Sequence, residues 1–234
     1  MLSDDLVDLQ HVDTAVDQIT HRRAHLAERQ TAAAAKAEVD RNRQAIATLI
    51  ARQRELTETI EGAEHSSAEL TRKRERLEGQ MRTIISPREA EALQHELATI
   101  AGERNALDDL ELDALEQQSA VVDDLSTAHA SEPALDDSST VAATALAAVE
   151  GELDREVGAL TVTRSEVVAR IEGGVLADYE RRRARQGGVA VARLEGRRCS
   201  GCHLDLSTSE FEQVRATPPG EVTDCPQCGR ILVP

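Results

Sequence analysis

The sequence predicts a mainly α-helical protein. We expect a long antiparallel coiled-coil helical hairpin over residues 1–174, then a joint helix and a small β-rich domain over residues 175–234. Three observations carry this prediction. Apolar residues recur every seven positions through most of the chain, Pro87 interrupts that repeat near its middle, and all four cysteines lie in the last 36 residues. Sustained seven-residue repeats with charged flanks are typical of coiled coils.

The composition argues against one large globular core. The chain of 234 residues has no Trp, one Tyr and one Phe, whereas charged residues make up 30% of it. Aromatic side chains supply much of the area that an ordinary core buries. Leu, Val, Ile and Ala in a strongly charged background are typical of long helices instead.

The first arm of the hairpin carries two repeats that are out of phase by two residues. The earlier repeat consists of Val12, Ile19, Leu26, Ala33 and Ala47. The later repeat consists of Leu49, Leu56, Ala63, Leu70, Leu77 and Ile84. The apolar seam must change face between them, so we expect a hinge within residues 33–46, around the polar run 40–44.

The turn of the hairpin is expected near residues 86–88. The residue before a proline avoids helical geometry, and proline suits the first turn of a new helix.

The second arm should then run to residue 172 and end at Gly173-Gly174. Pro133 predicts an interruption or kink in this arm, with a hinge over 131–137. The near-equal arms favour an intramolecular hairpin over a parallel dimer; a compact bundle of shorter helices is the alternative.

The C-terminal part changes character after these glycines. Residues 175–186 predict a joint helix that Gly187-Gly188 ends. Residues 188–199 alternate as a strand that turns at Glu195-Gly196. Ser207 with Glu210 three residues later predicts a short capped helix. Residues 217–221 predict a turn, and 221–225 and 230–233 predict short strands around the second cysteine pair.

The first cysteine pair allows two interpretations. Cys199-Ser200-Gly201-Cys202-His203 matches C-x-x-C-H, which attaches c-type haem, but it is also half of a four-cysteine zinc site. Cys225-Pro226-Gln227-Cys228 completes C-x2-C-x22-C-x2-C, close to the four-thiolate zinc pattern. Haem would leave Cys225 and Cys228 without a role. We therefore predict one structural Zn²⁺ held by the four cysteines, with His203 beside the site and not a ligand.

The N-terminal residues bear on the cellular compartment. Residues 1–12 contain three aspartates and show neither a basic nor an apolar signal region, so we expect no signal peptide. No apolar run approaches the roughly 20 residues that span a bilayer. We expect a cytoplasmic protein without membrane contact, in which thiols stay reduced and bind metal.

No catalytic pattern stands out. There is no P-loop, no G-x-S-x-G and no H-E-x-x-H. Four thiolates close the shell of a zinc ion, whereas a catalytic zinc keeps one position open. We therefore predict a protein that is not an enzyme and has no small-molecule substrate.

Several stretches together resemble a bacterial family, the C4-type zinc-ribbon family of coiled-coil proteins. The matching stretches are 179–181, 188–192, Cys199 to Cys202, Cys225 to Leu232, and 87–89 with 92–94 at the hairpin turn. The resemblance covers essentially the whole chain and implies a non-enzymatic protein that binds nucleic acid. Some relatives act in flagellar gene control by contacting a sigma factor and messenger RNA, but no residue here indicates that role.

Charge places the expected contact in the C-terminal part. Residues 175–234 hold nine Arg and eight acidic residues, which gives them a net charge of +1. The whole chain carries −16, so the first 174 residues carry −17. The leading hypothesis is that the C-terminal region binds RNA or DNA, or a transcription-related protein. The candidate contacts are Arg181, Arg182, Arg183, Arg185, Arg193, Arg197, Arg198 and Arg230. Guanidinium groups suit phosphate.

Two alternatives remain open. The arginines at the end of a helix also complement its dipole and can pair with the neighbouring carboxylates of Asp178 and Glu180. The protein would then be a protein–protein scaffold or chaperone-like adaptor that uses its coiled-coil hairpin. A redox or metal-sensing role of the cysteines is the third hypothesis.

Overall fold

The computed structural model describes residues 2–218 and 221–233. Its helices are α1 (Leu2–Ala24), α2 (Ala27–Met81), α3 (Pro87–Val168), α4 (Gly173–Arg185) and α5 (Thr208–Arg215). Its strands are β1 (Val191–Glu195), β2 (Arg198–Cys199), β3 (Thr223–Asp224) and β4 (Ile231–Val233). The predicted class, a long helical hairpin with a small C-terminal sheet, is confirmed. Among the described residues, no helix combines the length and apolarity needed to cross a membrane.

The chain divides into two compact units, one formed by residues 1–31 with 143–234 and the other by residues 32–142. The division at residue 174 and the hinges at 33–46 and 131–137 stay predictions. In the second unit, α2 and α3 pack through a seam of buried apolar residues. This seam contains Ile46, Leu56, Ala114, Val121 and Leu125.

The predicted interruption at Pro133 is wrong, because α3 is continuous from Pro87 to Val168, whereas the alternative of a kink stays a prediction. Proline removes one backbone donor from a helix interior and pushes on the preceding turn. The carbonyl that loses its helical donor to Pro133 is that of residue 129, four positions earlier. Two side chains bind the carbonyl one position before it. Asn42 of α2 donates to the Ala128 carbonyl at 3.1 Å, and Ser131 donates to the same oxygen at 2.7 Å. Helix α2 is likewise continuous through residues 33–46.

Two helix ends differ from the predictions. The first arm breaks at His25–Leu26, where α1 ends and α2 begins, without any glycine or proline. The second arm ends at Val168, before the expected Gly173-Gly174, and these glycines start α4. The turn over residues 169–172 therefore separates α3 from the joint helix. Gly187 and Gly188, with φ of 66° and 91°, do follow the end of α4 as predicted.

The C-terminal strands form one sheet in the order β2-β1-β4-β3. Strand β1 pairs antiparallel with β2 and parallel with β4, and β3 pairs antiparallel with β4. Ser207 caps α5 and forms the predicted capping box with Glu210. The predicted turn at 217–221 includes residues 219 and 220, which lie outside the described residues. This sheet places the two cysteine pairs at the ends of β2 and β3.

The sheet packs against the start of the first arm. Leu6 and Leu9 of α1 are fully buried in a cluster with Ile231 and Val233 of β4. Gln10 fixes the contact: its side-chain oxygen accepts hydrogen bonds from the amides of Ala190 (2.6 Å) and Val191 (3.1 Å). Its amide nitrogen donates to the Gly188 carbonyl at 2.8 Å. A buried glutamine thus satisfies backbone groups at the start of β1.

Candidate metal centre

The two cysteine pairs have the same backbone geometry. The amide of His203 donates to the Cys199 carbonyl at 2.8 Å, and the amide of Gly229 donates to the Cys225 carbonyl at 2.8 Å. The amides of Cys199 and Cys225 in turn donate to the carbonyls of Leu204 and Arg230. Each C-x-x-C is therefore one tight turn, and the two turns are related by matching hydrogen bonds.

His203 occupies the position that glycine holds in the second turn. The φ angle is 62° at His203 and 70° at Gly229, both in the left-handed region. Histidine is one of the residues that enter this region more often than most. Backbone conformation thus gives the histidine of C-x-x-C-H a role in the turn, whereas its place beside the zinc and outside the ligands stays a prediction.

The four sulfur atoms converge. The Sγ atoms of Cys199, Cys202, Cys225 and Cys228 all lie within 4.8 Å of one another, and those of Cys202 and Cys225 are 4.0 Å apart. A tetrahedral zinc site with Zn–S bonds of about 2.3 Å has sulfur–sulfur edges of about 3.8 Å. A disulfide would need about 2.05 Å. The geometry therefore fits one structural Zn²⁺ and no disulfide.

The metal-free thiols differ in how readily they ionise. Burial is the main cause that raises the pKa of Cys225, to about 12, and burial also raises that of Cys202. Burial opposes ionisation of Cys228 as well, but hydrogen bonds from the backbone amide and side chain of Arg230, together with those from Cys225 and Cys202, outweigh it and lower its pKa to about 7. Zinc binding must therefore displace the protons of Cys202 and Cys225.

Arg230 supports the site from the side. Its Nε donates to the Val189 carbonyl at 2.9 Å and its Nη2 to the Gln186 carbonyl at 3.1 Å. Its side chain also covers Gly201, where a Cβ atom would lie 2.6 Å from the arginine Cδ. Gly201 is required in the first turn for this close approach. Arg230 is thus engaged in the ribbon's own structure.

The other candidate arginines differ in their contacts. Arg181, Arg182, Arg183 and Arg198 pair with carboxylates, namely Asp178, Asp224, Asp17, Asp13 and Asp205. Arg197 donates to the Leu206 carbonyl. Arg185 and Arg193 are exposed and form no ion pair among the described residues. The eight arginines do not form one uncompensated positive patch.

A buried carboxylate joins the joint helix to both arms. Asp13 of α1 is 3% exposed and accepts hydrogen bonds from the Tyr179 hydroxyl (2.8 Å) and the Arg164 Nε (2.7 Å). The Nε of Arg183 lies 3.5 Å from the same carboxylate. Burial, followed by the bond to Asp13, raises the pKa of Tyr179 well above its usual range. Asp13 could not be predicted as a buried residue, because nothing in the helical repeat marks a buried carboxylate.

The conformation of the two turns makes a testable prediction. Replacing His203 with glycine should leave the stability of the zinc-loaded ribbon unchanged or raise it slightly, because a non-glycine residue in the left-handed region costs about 1–2 kcal/mol. The matched change Gly229→Ala should lower stability by a similar amount. The rate at which a chromogenic chelator removes zinc measures both effects.

The contrary outcome is also clear. If His203→Gly lost zinc as fast as Gly229→Ala, His203 would have a role beyond backbone conformation, such as metal ligation.

Comparisons with known proteins agree with this geometry. Residues 9–187 match the family model of the CT398-like coiled coil hairpin domain, and residues 198–232 match that of the C4-type zinc ribbon domain. A Mycobacterium tuberculosis protein described as uncharacterized is 27% identical over 230 residues, which cover 97% of this chain and 93% of the relative.

Solved structures share the fold. A protein from Mycobacterium smegmatis has a TM-score of 0.77 at 25% identity, and the match covers 99% of this chain and 97% of that protein's chain. CT398 from Chlamydia trachomatis has a TM-score of 0.85 at 22% identity, and the match covers 99% of this chain and 98% of CT398. The HP0958 protein from Helicobacter pylori has a TM-score of 0.63 at 17% identity, and the match covers 98% of this chain and 95% of HP0958.

Proposed function

The chain belongs to the family of CT398-like coiled-coil hairpin proteins with a C4-type zinc ribbon, and from this premise we propose that it is a non-enzymatic, protein-binding adaptor. Its zinc ribbon presents a surface to a protein partner, and the zinc is structural. A four-thiolate shell leaves no open position for water or substrate, which supports a role without catalysis. We place the adaptor in the cytoplasm, where its thiols stay reduced.

One observation carries the preference for a protein partner. Arg181, Arg182 and Arg183 of the joint helix all pair with carboxylates, so this helix offers phosphate little uncompensated charge. A polyanion would have to break these pairs before it gained its own. Interspersed charges of both signs are, by contrast, common around protein–protein contacts, where they select the partner.

A second candidate function rests on two other arginines. Arg185 and Arg193 are exposed and have no ion pair among the residues that the structure describes, so they are available to RNA or DNA. With Phe211 half-buried and Tyr179 buried, stacking on bases would contribute little. Such binding would be electrostatic and would weaken steeply with salt.

The test compares the two candidates on the purified full-length protein. We expect labelled RNA and DNA to bind weakly at physiological salt, and Arg185→Gln with Arg193→Gln to change that binding little. Native co-purification after nuclease treatment should retain a stoichiometric protein partner. The same partner should co-purify with the control variant Leu204→Ser, which changes an exposed residue. It should not co-purify with Cys228→Ser, which disrupts the ribbon.

Two results together would favour nucleic-acid binding over the adaptor function. One is tight, salt-sensitive binding of RNA or DNA that the two glutamine substitutions abolish. The other is the loss of every protein partner after nuclease treatment.

A further inference from the structure

The hairpin tip, defined as residues 82–88, is apolar and positively charged. Ile85 at its apex is 96% exposed. Arg82 and Arg88 on either side of it are exposed and form no ion pair within the described part of the chain. Residues 79–88 contain no acidic residue. The tip therefore carries a local charge of +2 and an unburied aliphatic side chain in a chain with a net charge of −16, with Glu78 and Glu89 next along the chain on either side.

The acidic face of α3, defined as residues 108–124, has the complementary character. No residue from 105 to 154 is Lys or Arg. The acidic residues of this face are Asp108, Asp109, Glu111, Asp113, Glu116, Asp123 and Asp124. None of them forms an ion pair with any residue that the structure describes. Like charges three and four positions apart on a helix repel one another, so this face gains from an external cation.

Apolar side chains lie within the acidic face. Leu112, Leu115 and Val122 are 59%, 42% and 46% exposed. Leu115 and Val122 each follow a buried residue of the seam, Ala114 and Val121, by one position. One residue turns a helix by about 100°, so these side chains lie beside the seam and not within it. They occupy helix positions that in an ordinary coiled coil are polar.

The two surfaces match each other in charge and in apolarity. The positive tip carries Ile85, and the acidic face carries Leu112, Leu115 and Val122. Within one chain they cannot meet, because Pro87 and Leu115 are separated along the continuous helix α3 by about 40 Å at 1.5 Å per residue. Their complementarity can be used only between chains.

We propose that the hairpin tip of one copy docks on the acidic face of a second copy. Two copies with their α3 helices antiparallel form both contacts at once, tip to face and face to tip. Such an arrangement is a closed two-fold dimer, in which the same surface of each subunit contributes to the interface. Arg82 and Arg88 then compensate the acidic face, and Ile85 covers part of its leucine and valine surface.

The experiment uses charge reversal in the full-length protein. A tip variant carries Arg82→Glu and Arg88→Glu. A face variant replaces four of the seven acidic residues with arginine, at positions 109, 113, 116 and 123, which changes the charge of residues 108–124 from −7 to +1. All six positions are exposed, so circular dichroism should show unchanged helix. Sedimentation equilibrium at low salt should show a dimer for the wild type. Each variant alone should weaken the dimer at least about 100-fold, because like charges then face each other at both contacts.

The decisive sample is an equimolar mixture of the two variants. In a mixed dimer, the reversed tip meets the reversed face, and the native tip meets the native face. Dimerisation should therefore return in the mixture. A control variant carries Arg155→Glu and Arg193→Glu, so its net charge falls by the same four units as in the tip variant. This control should dimerise like the wild type.

Three outcomes would overturn the proposal. The first is a wild-type protein that stays monomeric at about 0.1 mM, a concentration far above typical dissociation constants of specific complexes. The second is a dimer that persists in the tip variant or in the face variant, and the third is a mixture of the two variants that remains monomeric.

Discussion

Replacing Cys228 with serine is expected to unfold the zinc ribbon while leaving helices α1 to α3 folded. Apart from the thiols, the core around the metal centre consists of a few residues, chiefly Ala192, Leu206, Val214 and Leu232. A structural zinc contributes about 10–16 kcal/mol to domains of this kind. A core this small cannot replace that contribution.

The measurement combines circular dichroism, hydrogen exchange and zinc content. The signal at 222 nm should change little, because α5 is only eight residues long whereas α2 and α3 have 55 and 82. Amide protection in β1 and β4 should be lost, and zinc content should fall. Leu204→Ser, which changes an exposed residue of the first turn, should keep both. Loss of most helical signal in Cys228→Ser would show that the ribbon and the hairpin do not fold independently.

Replacing Asp13 with alanine is expected to lower the free energy of unfolding by about 3 kcal/mol. The change leaves the buried Tyr179 hydroxyl without an acceptor and removes the carboxylate that pairs with Arg164 and Arg183. Removing one partner of a buried ion pair costs about 3–5 kcal/mol. We expect the lower end of that range because the Arg164 side chain is 31% exposed.

Asp17 provides the matched control, since it lies one turn further along α1 and accepts a hydrogen bond from Arg183 at 2.6 Å. Its side chain is 51% exposed, so Asp17→Ala should cost less than about 1 kcal/mol. Urea unfolding followed by circular dichroism and by the fluorescence of Tyr179, the one tyrosine, measures both changes. Equal effects of the two substitutions would contradict a central role of the buried carboxylate.

Local patterns in the sequence predicted the elements that depend on local physics. The seven-residue repeats gave the seam of α2 and α3, and Pro87 marked the start of α3. The cysteine spacing predicted the four-sulfur site, since each C-x-x-C forms its own turn. Ser207 and Glu210 predicted the cap of α5 for the same reason.

The features that were missed depend on contacts between distant parts of the chain. Asp13 and Gln10 are buried because Tyr179 and the start of β1 pack on α1, more than 160 positions away. Near Pro133, where α3 is continuous, Asn42 of the other helix donates to the Ala128 carbonyl, a contact between positions 86 residues apart. The pairing of Arg183 with Asp17 likewise joins positions that no local pattern connects. The sequence therefore supplied the candidate arginines and one local partner, Asp178, which pairs with Arg181 and Arg182, but not the partners that lie far along the chain.

The most direct test of the account is zinc K-edge X-ray absorption on the full-length protein, combined with its metal content. We predict one zinc per chain, coordinated by four sulfur atoms at about 2.3 Å. A shell that contains nitrogen or oxygen in place of sulfur, or a stoichiometry of one zinc per two chains, would contradict it. Either result would mean that Cys199, Cys202, Cys225 and Cys228 do not close one site within a single ribbon.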